Sequence, residues 1–494
     1  MKQSMKKESH EILKSRMNLP DFSSLIIQDL SPLTKEIIIN QPTMNISLIG
    51  DKGKGKTTFI NSLSRQLPSK VKAEKEPERT REREKNFSQE IGYVNIKLYK
   101  CNKCPEPECY KSFNSQIEEE IKCTSCGNKL ELIRHISFID NPELTIKMNM
   151  ILNGNIFTDA ALLFVAADEN LNIKEESNND NNNNENENEK EIFYENSLSK
   201  NIIIVQNKID KVMKNNMAKQ QYEQIKKYAT YKNAQNSLII PISAQLNFNL
   251  DALIQYLISI QIPKRDLLSP PKYHILHSFY YSNIFDDSST INKNGTLYGI
   301  LIKGLFKLGD NIEILPGICI KTKNKEIRTS PICGRITILQ NEKNLANYVI
   351  PGGIINIGLK IEHSDYLKNN KLEGNILGIQ EKVGEVFYKI GVKCHFLRKL
   401  IKIEKNEWGH HLDYVTDIKK GEVLLLNINY ISVGGDIISI KGINSDEIYF
   451  ELRKPICVEI SEKIIISRKT GSIWRIIGWG EIISEAEEDV TNIT

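Results

Sequence analysis

The sequence of 494 residues predicts a layered α/β domain with a parallel sheet, followed by two all-β barrel domains. Three observations predict it. From Asn45 to about residue 266, β-branched apolar runs alternate with stretches of helical periodicity, as strands alternate with crossover helices. Past Pro263, Pro270 and Pro271 the pattern changes to short β-branched runs separated by glycine turns, the signature of barrels. The chain is also too long for one hydrophobic core, and about three domains fit its length.

Residues 1–44 read as a charged N-terminal extension without the apolar core of a signal peptide. Asn45-Ile-Ser-Leu-Ile49 reads as a buried strand, and Thr58-Phe-Ile-Asn-Ser-Leu63 as the start of a helix. Ile202-Ile-Ile-Val205 and Leu238-Ile-Ile240 read as further strands of an α/β domain spanning 45–266. The helical pattern Leu253-Ile-Gln-Tyr-Leu-Ile258 closes that domain. Two insertions interrupt it: a cysteine-bearing segment at 97–134 and an acidic, Asn-rich segment at 168–195. The second is of low complexity and is expected to be disordered and without a function of its own. Runs such as Leu301-Ile-Lys-Gly304 and Ile354-Ile-Asn-Ile-Gly358 belong to a first β-barrel at 270–380. Val423-Leu-Leu-Leu-Asn-Ile428 and Trp474-Arg-Ile-Ile-Gly-Trp-Gly480 belong to a second at 381–494.

Composition narrows the function classes. The sequence has no uncharged apolar run long enough to span a bilayer, so a cytoplasmic protein with no membrane partner is expected. The formal net charge is +4, but Asp168 to Glu195 holds ten acids against two lysines, which leaves +12 on the remainder. A solvated surface or a polyanionic partner such as RNA accounts for that excess.

Three phrases specify a guanine-nucleotide pocket. Gly50, Asp51, Lys52, Gly53, Lys54, Gly55, Lys56 and Thr57 fit the phosphate-binding loop: glycines let backbone N–H groups face phosphates, the lysine reaches the terminal ones, and the hydroxyl ligates Mg2+. Thr58 continues into the helix. Asn207-Lys208-Ile209-Asp210 supplies a base reader, in which the Asp210 carboxylate accepts from guanine N1–H and the N2 amine while Asn207 is expected to face the O6/N7 edge. Adenine lacks that donor pair, and well-made polar sites reject such a base by about four orders of magnitude. GTP and GDP follow as ligands, with Ser243-Ala244 as the third phrase.

Nine cysteines are an odd number, and five of them fall between Cys101 and Cys126. Cys101-x2-Cys104 and Cys123-x2-Cys126, with Gly127 behind the second pair, suit four thiolates on a tetrahedral structural Zn2+; Cys109 is a possible substitute for one ligand.

With these phrases, the cysteine insert and two β domains in this order, the chain resembles the gamma subunit of eukaryotic and archaeal translation initiation factor 2, a translational GTPase related to elongation factor Tu. Its most specific segments are Ile91-Gly-Tyr-Val-Asn-Ile-Lys-Leu-Tyr-Lys-Cys101, Cys104 to Phe113, Arg134-His-Ile-Ser-Phe-Ile-Asp140, Pro241-Ile-Ser-Ala-Gln245 and Trp474 to Gly480. The resemblance implies an α/β P-loop GTPase domain with a zinc-knuckle insertion, followed by two all-β barrel domains. It implies a carrier of initiator methionyl-tRNA to the small ribosomal subunit, working in a heterotrimer with alpha and beta subunits. It also adds Gln245 to the nucleotide site, and Ser88 and Asp140 to Thr57 as Mg2+ residues, Ser88 standing where relatives carry threonine.

The second switch departs from the resemblance. Where the family reads Asp-x-Pro-Gly-His, this chain reads Asp140-Asn141-Pro142-Glu143-Leu144. Glu143 replaces the glycine whose amide meets the γ-phosphate, and Leu144 replaces the histidine that helps position the attacking water. Slow hydrolysis is expected, and a paralogue that only binds nucleotide and scaffolds the other subunits is the alternative. A zinc-ribbon RNA-binding module with a vestigial GTPase fold is disfavoured by the intact base-reading phrase. Lys389, Lys393, Arg398, Lys399, Lys402 and Lys405 form either a tRNA-facing strip or a solvated strand face, and Trp474 and Trp479 are expected to pack in a core or between domains.

Overall fold

The structure, a computed structural model, describes residues 20, 22, 27, 30–50, 53–64, 69–70, 92–116, 121–140, 158–169, 202–212, 217–231, 237–282, 293–321, 327–342, 344–361, 366–367, 370–397, 417–428, 431–442, 446–470 and 473–485. Asp51, Lys52, Ser88, Glu143, Leu144, Arg398, Lys399, Lys402 and Lys405 lie outside these, as does 170–200.

The first domain is built on eight strands: β1 (Met44–Ile49), β2 (Ser69–Lys70), β3 (Gly92–Lys100), β4 (Tyr110–Asn114), β5 (Glu131–Asp140), β6 (Ala160–Ala166), β7 (Ile202–Asn207) and β8 (Leu238–Pro241). Their order is β2-β3-β5-β1-β6-β7-β8, with β4 attached to β3. Strands β5, β1, β6, β7 and β8 are mutually parallel, whereas β2, β3 and β4 add antiparallel pairings at one edge. The parallel register brings the carboxyl ends of β1, β6 and β7 to one rim, with Ala166 opposite Asn207. Open α/β sheets bind ligands at that rim. β3 and β5 run on to Lys100 and from Glu131, so the cysteine segment between them spans 101–130 and returns to the sheet once, as β4.

The helices follow their periodicity. Helix α1 (Lys35–Asn40) precedes the sheet, α2 (Lys56–Ser64) follows the glycine loop, and α3 (Met217–Tyr231) and α4 (Leu250–Ser259) follow later strands. α2 buries Lys56, Phe59, Ile60 and Leu63, and α4 buries Leu250, Leu253, Ile254 and Leu257, one stripe each at i, i+3, i+4, i+7. Both stripes join Met44, Ile46, Leu48 and Phe138 in one apolar core, where Phe59 meets Phe138 edge-on at 5.9 Å. Arg134 donates to the carbonyls of Ile258 and Ile260 at 2.8 Å each and so satisfies acceptors that the end of α4 leaves unpaired.

The first β domain contains β9 (Lys272–Ser282), β10 (Lys293–Lys303), β11 (Phe306–Lys307), β12 (Asn311–Lys321), β13 (Ile327–Asn341), β14 (Asn344–Leu345), β15 (Tyr348–Val349), β16 (Ile355–Ile361) and β17 (Ile376–Ile379), of which β11 and β15 pair only with each other. The order β12-β17-β9-β10-β16-β13 closes on itself through β12–β13. The second barrel closes as β18-β21-β20-β19-β22-β23, from β18 (Val386–Phe396), β19 (Val423–Ile428), β20 (Ile431–Lys441), β21 (Glu447–Cys457), β22 (Lys463–Thr470) and β23 (Ile473–Glu485). Closure removes the free strand edges on which sheets aggregate. Buried Tyr273 fills the first barrel and donates its hydroxyl to the Ile355 carbonyl at 2.7 Å. Among the described residues no helix is long and apolar enough to cross a membrane.

The chain forms two compact units, one of residues 1–41, 264–318 and 330–383, the other of 42–263, 319–329 and 384–494. Within the first unit, Ile37 of α1 packs with Leu267, Leu305 and Ile350. Gln41 donates to the Ile350 carbonyl at 2.9 Å and accepts from the Ile350 amide at 3.2 Å. All these groups are buried, so Gln41→Leu leaves two backbone groups unpaired, at a cost of about 1–3 kcal/mol. Amide exchange at Ile350, followed by mass spectrometry, is expected to accelerate correspondingly.

Candidate guanine-nucleotide site and metal centre

The glycine loop leaves β1 at the rim. Gly50 has φ +136°, and a Cβ there would stand 2.7 Å from the Phe164 carbonyl of β6. Gly55 has φ +89°, and a Cβ would strike the Asn207 amide. Both positions therefore require glycine on backbone and packing grounds. Lys56 is buried at the start of α2 and donates to the Gly50 carbonyl at 2.6 Å, so its ammonium lies across the mouth of the loop. Thr57 and Thr58 are exposed in the same first turn.

The structure gives Asn207 a bracing task. Its amide donates to the Lys54 carbonyl at 2.9 Å, and its side-chain oxygen accepts from the Ala244 amide at 3.1 Å. It is 2 % exposed and braces the glycine loop against the Ser243-Ala244 turn. The carboxamide carries two N–H donors, so its bond to the Lys54 carbonyl leaves one that guanine O6 or N7, both acceptors, could use. Lys208 follows in the left-handed region at φ +63° and opens a single 3-10 turn, Ile209–Lys211, which carries Asp210. Buried Ser243 donates its hydroxyl to Asp210 and accepts from the Leu246 amide. A carboxylate has about four acceptor sites, so this bond orients Asp210 and leaves capacity for two guanine donors. Gln245 is exposed beside it.

Two residues of the rim escaped the sequence reading. Asp168 and Glu169 were expected in the acidic insert, but both stand in the turn that ends β6, inside the site. Asp168 lies 3.6 Å from the Lys208 ammonium and 2.8 Å from that of Lys211, and Glu169 pairs with Lys54. Burial raises the carboxyl of Asp168, but the Lys211 hydrogen bond and the two lysine charges outweigh it and hold the group below its ordinary value. The signal was their position directly after the apolar run of β6. Asp140 ends β5 at the same rim.

The cysteine segment folds into a four-sulfur cluster. The sulfurs of Cys101, Cys104, Cys123 and Cys126 lie within 4.8 Å of one another, with Cys101–Cys126 at 3.4 Å and Cys104–Cys123 at 3.7 Å. Zinc–sulfur bonds of about 2.3 Å in a tetrahedron place sulfurs about 3.8 Å apart, so the donor set fits Zn2+. Cys109 is buried in the adjoining apolar core and is not one of the four. The Asn128 amide donates to Cys126 at 2.9 Å and lowers that thiol to about 6, while hydrogen bonding with the Cys126 and Cys123 sulfurs pushes Cys104 up to about 12. Four crowded sulfurs cannot all ionise without a cation among them.

The chain is 34% identical over 467 residues to eukaryotic translation initiation factor 2 subunit 3 of Drosophila melanogaster, covering 94% of this chain and 93% of that one. This chain belongs to the gamma-subunit family of eukaryotic translation initiation factor 2. The gamma subunit of Schizosaccharomyces pombe is likewise 34% identical, over 93% of this chain and 98% of its own. The elongation factor Tu GTP-binding domain matches residues 41–263, and initiation factor eIF2 gamma, C terminal, matches 388–482. The elongation factor SelB of Methanococcus maripaludis, solved in complex with the GTP analogue GppNHp, shares the fold at TM-score 0.57 and 17% identity, covering 90% of this chain and 80% of its own. The protein is thus a translation initiation factor GTPase, and the family implies guanine nucleotide and Mg2+.

On the second barrel, Lys389 stands opposite Glu451, and Lys393 opposite Glu447 and Glu481. Acids in register on the adjacent strands favour a solvated, charge-paired face over an RNA strip. Trp474 and Trp479 are half-buried and outside the barrel's buried core, contrary to a core role. Trp479 instead stacks on exposed His395 at 4.2 Å on the outer face.

Thiolates, not thiols, bind metal, so protons compete with the cluster's cation. One Zn2+ per chain is expected near neutral pH, with affinity falling progressively as pH drops from about 8 to about 5, because protons compete for the four sulfurs. Titration against a chromophoric chelator across that range checks it.

Proposed function

We propose that this chain, in its GTP form, carries initiator methionyl-tRNA to the small ribosomal subunit in the cytoplasm, within a heterotrimer with alpha and beta subunits. The observation that carries the reading is the base reader and its brace, Asp210 oriented by Ser243 and Asn207 tying Lys54 to Ala244, in a chain related to initiation factor 2 gamma subunits over almost its whole length. Gly50 to Gly55 present amides to the phosphates, Lys56 releases the Gly50 carbonyl for the terminal phosphates, and Asp210 checks the purine. Thr57, Ser88 and Asp140 are the residues for Mg2+, which neutralises phosphate charge when bound. Cys101, Cys104, Cys123 and Cys126 hold a structural Zn2+, every position filled by sulfur and none open to water.

Hydrolysis is the weak step. Leu144 has no group with which to orient water, and such orientation is a large part of GTPase catalysis. A carboxylate at Glu143 within about 4 Å of a phosphate oxygen costs roughly 4 kcal/mol before screening, so it weakens the preference for GTP unless it turns away. These two residues favour a second reading, a hydrolysis-impaired scaffold that binds nucleotide and assembles alpha and beta subunits.

Filter binding of initiator methionyl-tRNA with and without GTP separates the readings: GTP-dependent retention is expected, and nucleotide-independent subunit assembly without retention supports the scaffold. In single-turnover kinetics, Leu144→His is expected to raise the hydrolysis rate at least tenfold, about 1.4 kcal/mol of barrier. An unchanged rate in that variant removes the assigned role of Leu144.

A further inference from the structure

We propose that Asp168 and Glu169 are positioning residues of the nucleotide pocket: Asp168 fixes the base-phrase lysine Lys208, and Glu169 holds the phosphate-loop lysine Lys54 as its counter-ion. The inference rests on the guanine-nucleotide reading of the rim.

Its ground is the place of β6 between β1 and β7 in the sheet. The loop after β1 grips phosphate and the loop after β7 reads the base, so the turn after β6 lies between them. The backbone of that turn is pinned. The Ala167 amide donates to the Asn207 carbonyl at 2.8 Å, and Gln221 donates to the carbonyls of Ala166, at 2.7 Å, and Glu169. Gln221 is itself held by Gln206 at 2.9 Å. From this fixed turn two adjacent carboxylates reach in different directions, each to the lysine of a different phrase.

The two have different consequences. Lys208 carries its backbone in the left-handed region, and its ammonium is shared with Asp168, whose other oxygen is held at 2.8 Å by Lys211. The ion pair restricts the rotamers of a four-carbon stem next to the base-reading carboxylate, so losing it costs ordering entropy when the base binds. Lys54 is held twice, its carbonyl by Asn207 and its ammonium by Glu169. Glu169 thereby keeps a cation of the phosphate loop occupied. A polyanion entering the loop meets a neutral pair in place of a free ammonium, and removal of Glu169 exposes the full charge.

The test uses the full chain with two probes, a fluorescent GDP that engages both loops and inorganic tripolyphosphate that engages only one. Asp168→Asn is expected to weaken GDP about two- to fivefold, the range of a partly exposed ion pair, and to leave tripolyphosphate unchanged, with Asp168→Glu restoring most of the loss. Glu169→Gln is expected to tighten tripolyphosphate by a similar factor at low salt, the difference vanishing at high salt. A merely structural turn predicts otherwise: both probes weakened alike by either variant, with a lowered thermal midpoint. That outcome overturns the proposal, as do unchanged affinities in both variants. Wild-type protein that binds no GDP at all refutes the guanine reading beneath it.

Discussion

One buried carboxamide holds the nucleotide site together. Asn207 spans from the Lys54 carbonyl to the Ala244 amide, so a single side chain joins three segments distant in sequence. In a buried setting neither end can trade its partner for water, and the unmade bonds would cost the full desolvation of each group. The brace in turn dictates its neighbours. Gly55 has no room for a Cβ, Lys208 takes a left-handed backbone, and Asp210 is delivered to Ser243 by the one 3-10 turn that follows. The parallel ladder of β1, β6 and β7 sets the distance that the carboxamide must span.

Much of this was legible in the sequence, because local patterns report local physics. The strand, glycine loop and helix at Asn45 to Leu63 appear as β1, the rim turn and α2, and the β-branched runs at Ile202 and Leu238 as β7 and β8. The change of pattern after the prolines marks real barrels, since period-two runs bounded by glycine have few other ways to bury themselves. The cysteine spacing brought four sulfurs to one point and left Cys109 aside.

What was not legible depends on contacts between distant segments. Asn207 reads as part of the base phrase, but its brace joins it to the Lys54 carbonyl and the Ala244 amide, in segments far from it in sequence. Asp168 and Glu169 look like the first residues of a long acidic tract, yet the two lysines they meet lie in other phrases of the site. The sequence leaves Lys389 and Lys393 open between an RNA strip and a solvated face, and only the strand register, with Glu451, Glu447 and Glu481 opposite them, bears on the choice. Trp479 resembles core by hydrophobicity, but its odd-even place on β23 turns it outward onto His395.

The second barrel is sealed by β23, the last of its six strands in sequence, which pairs with both β18 and β22. During synthesis the five earlier strands therefore emerge with two unsatisfied borders and no means of joining them. Neither the sheet of the α/β layer nor that of the first barrel includes β23. Until the sealing strand arrives, that isoleucine-rich ribbon carries unpaired backbone on both borders, the kind of edge on which other strands can add.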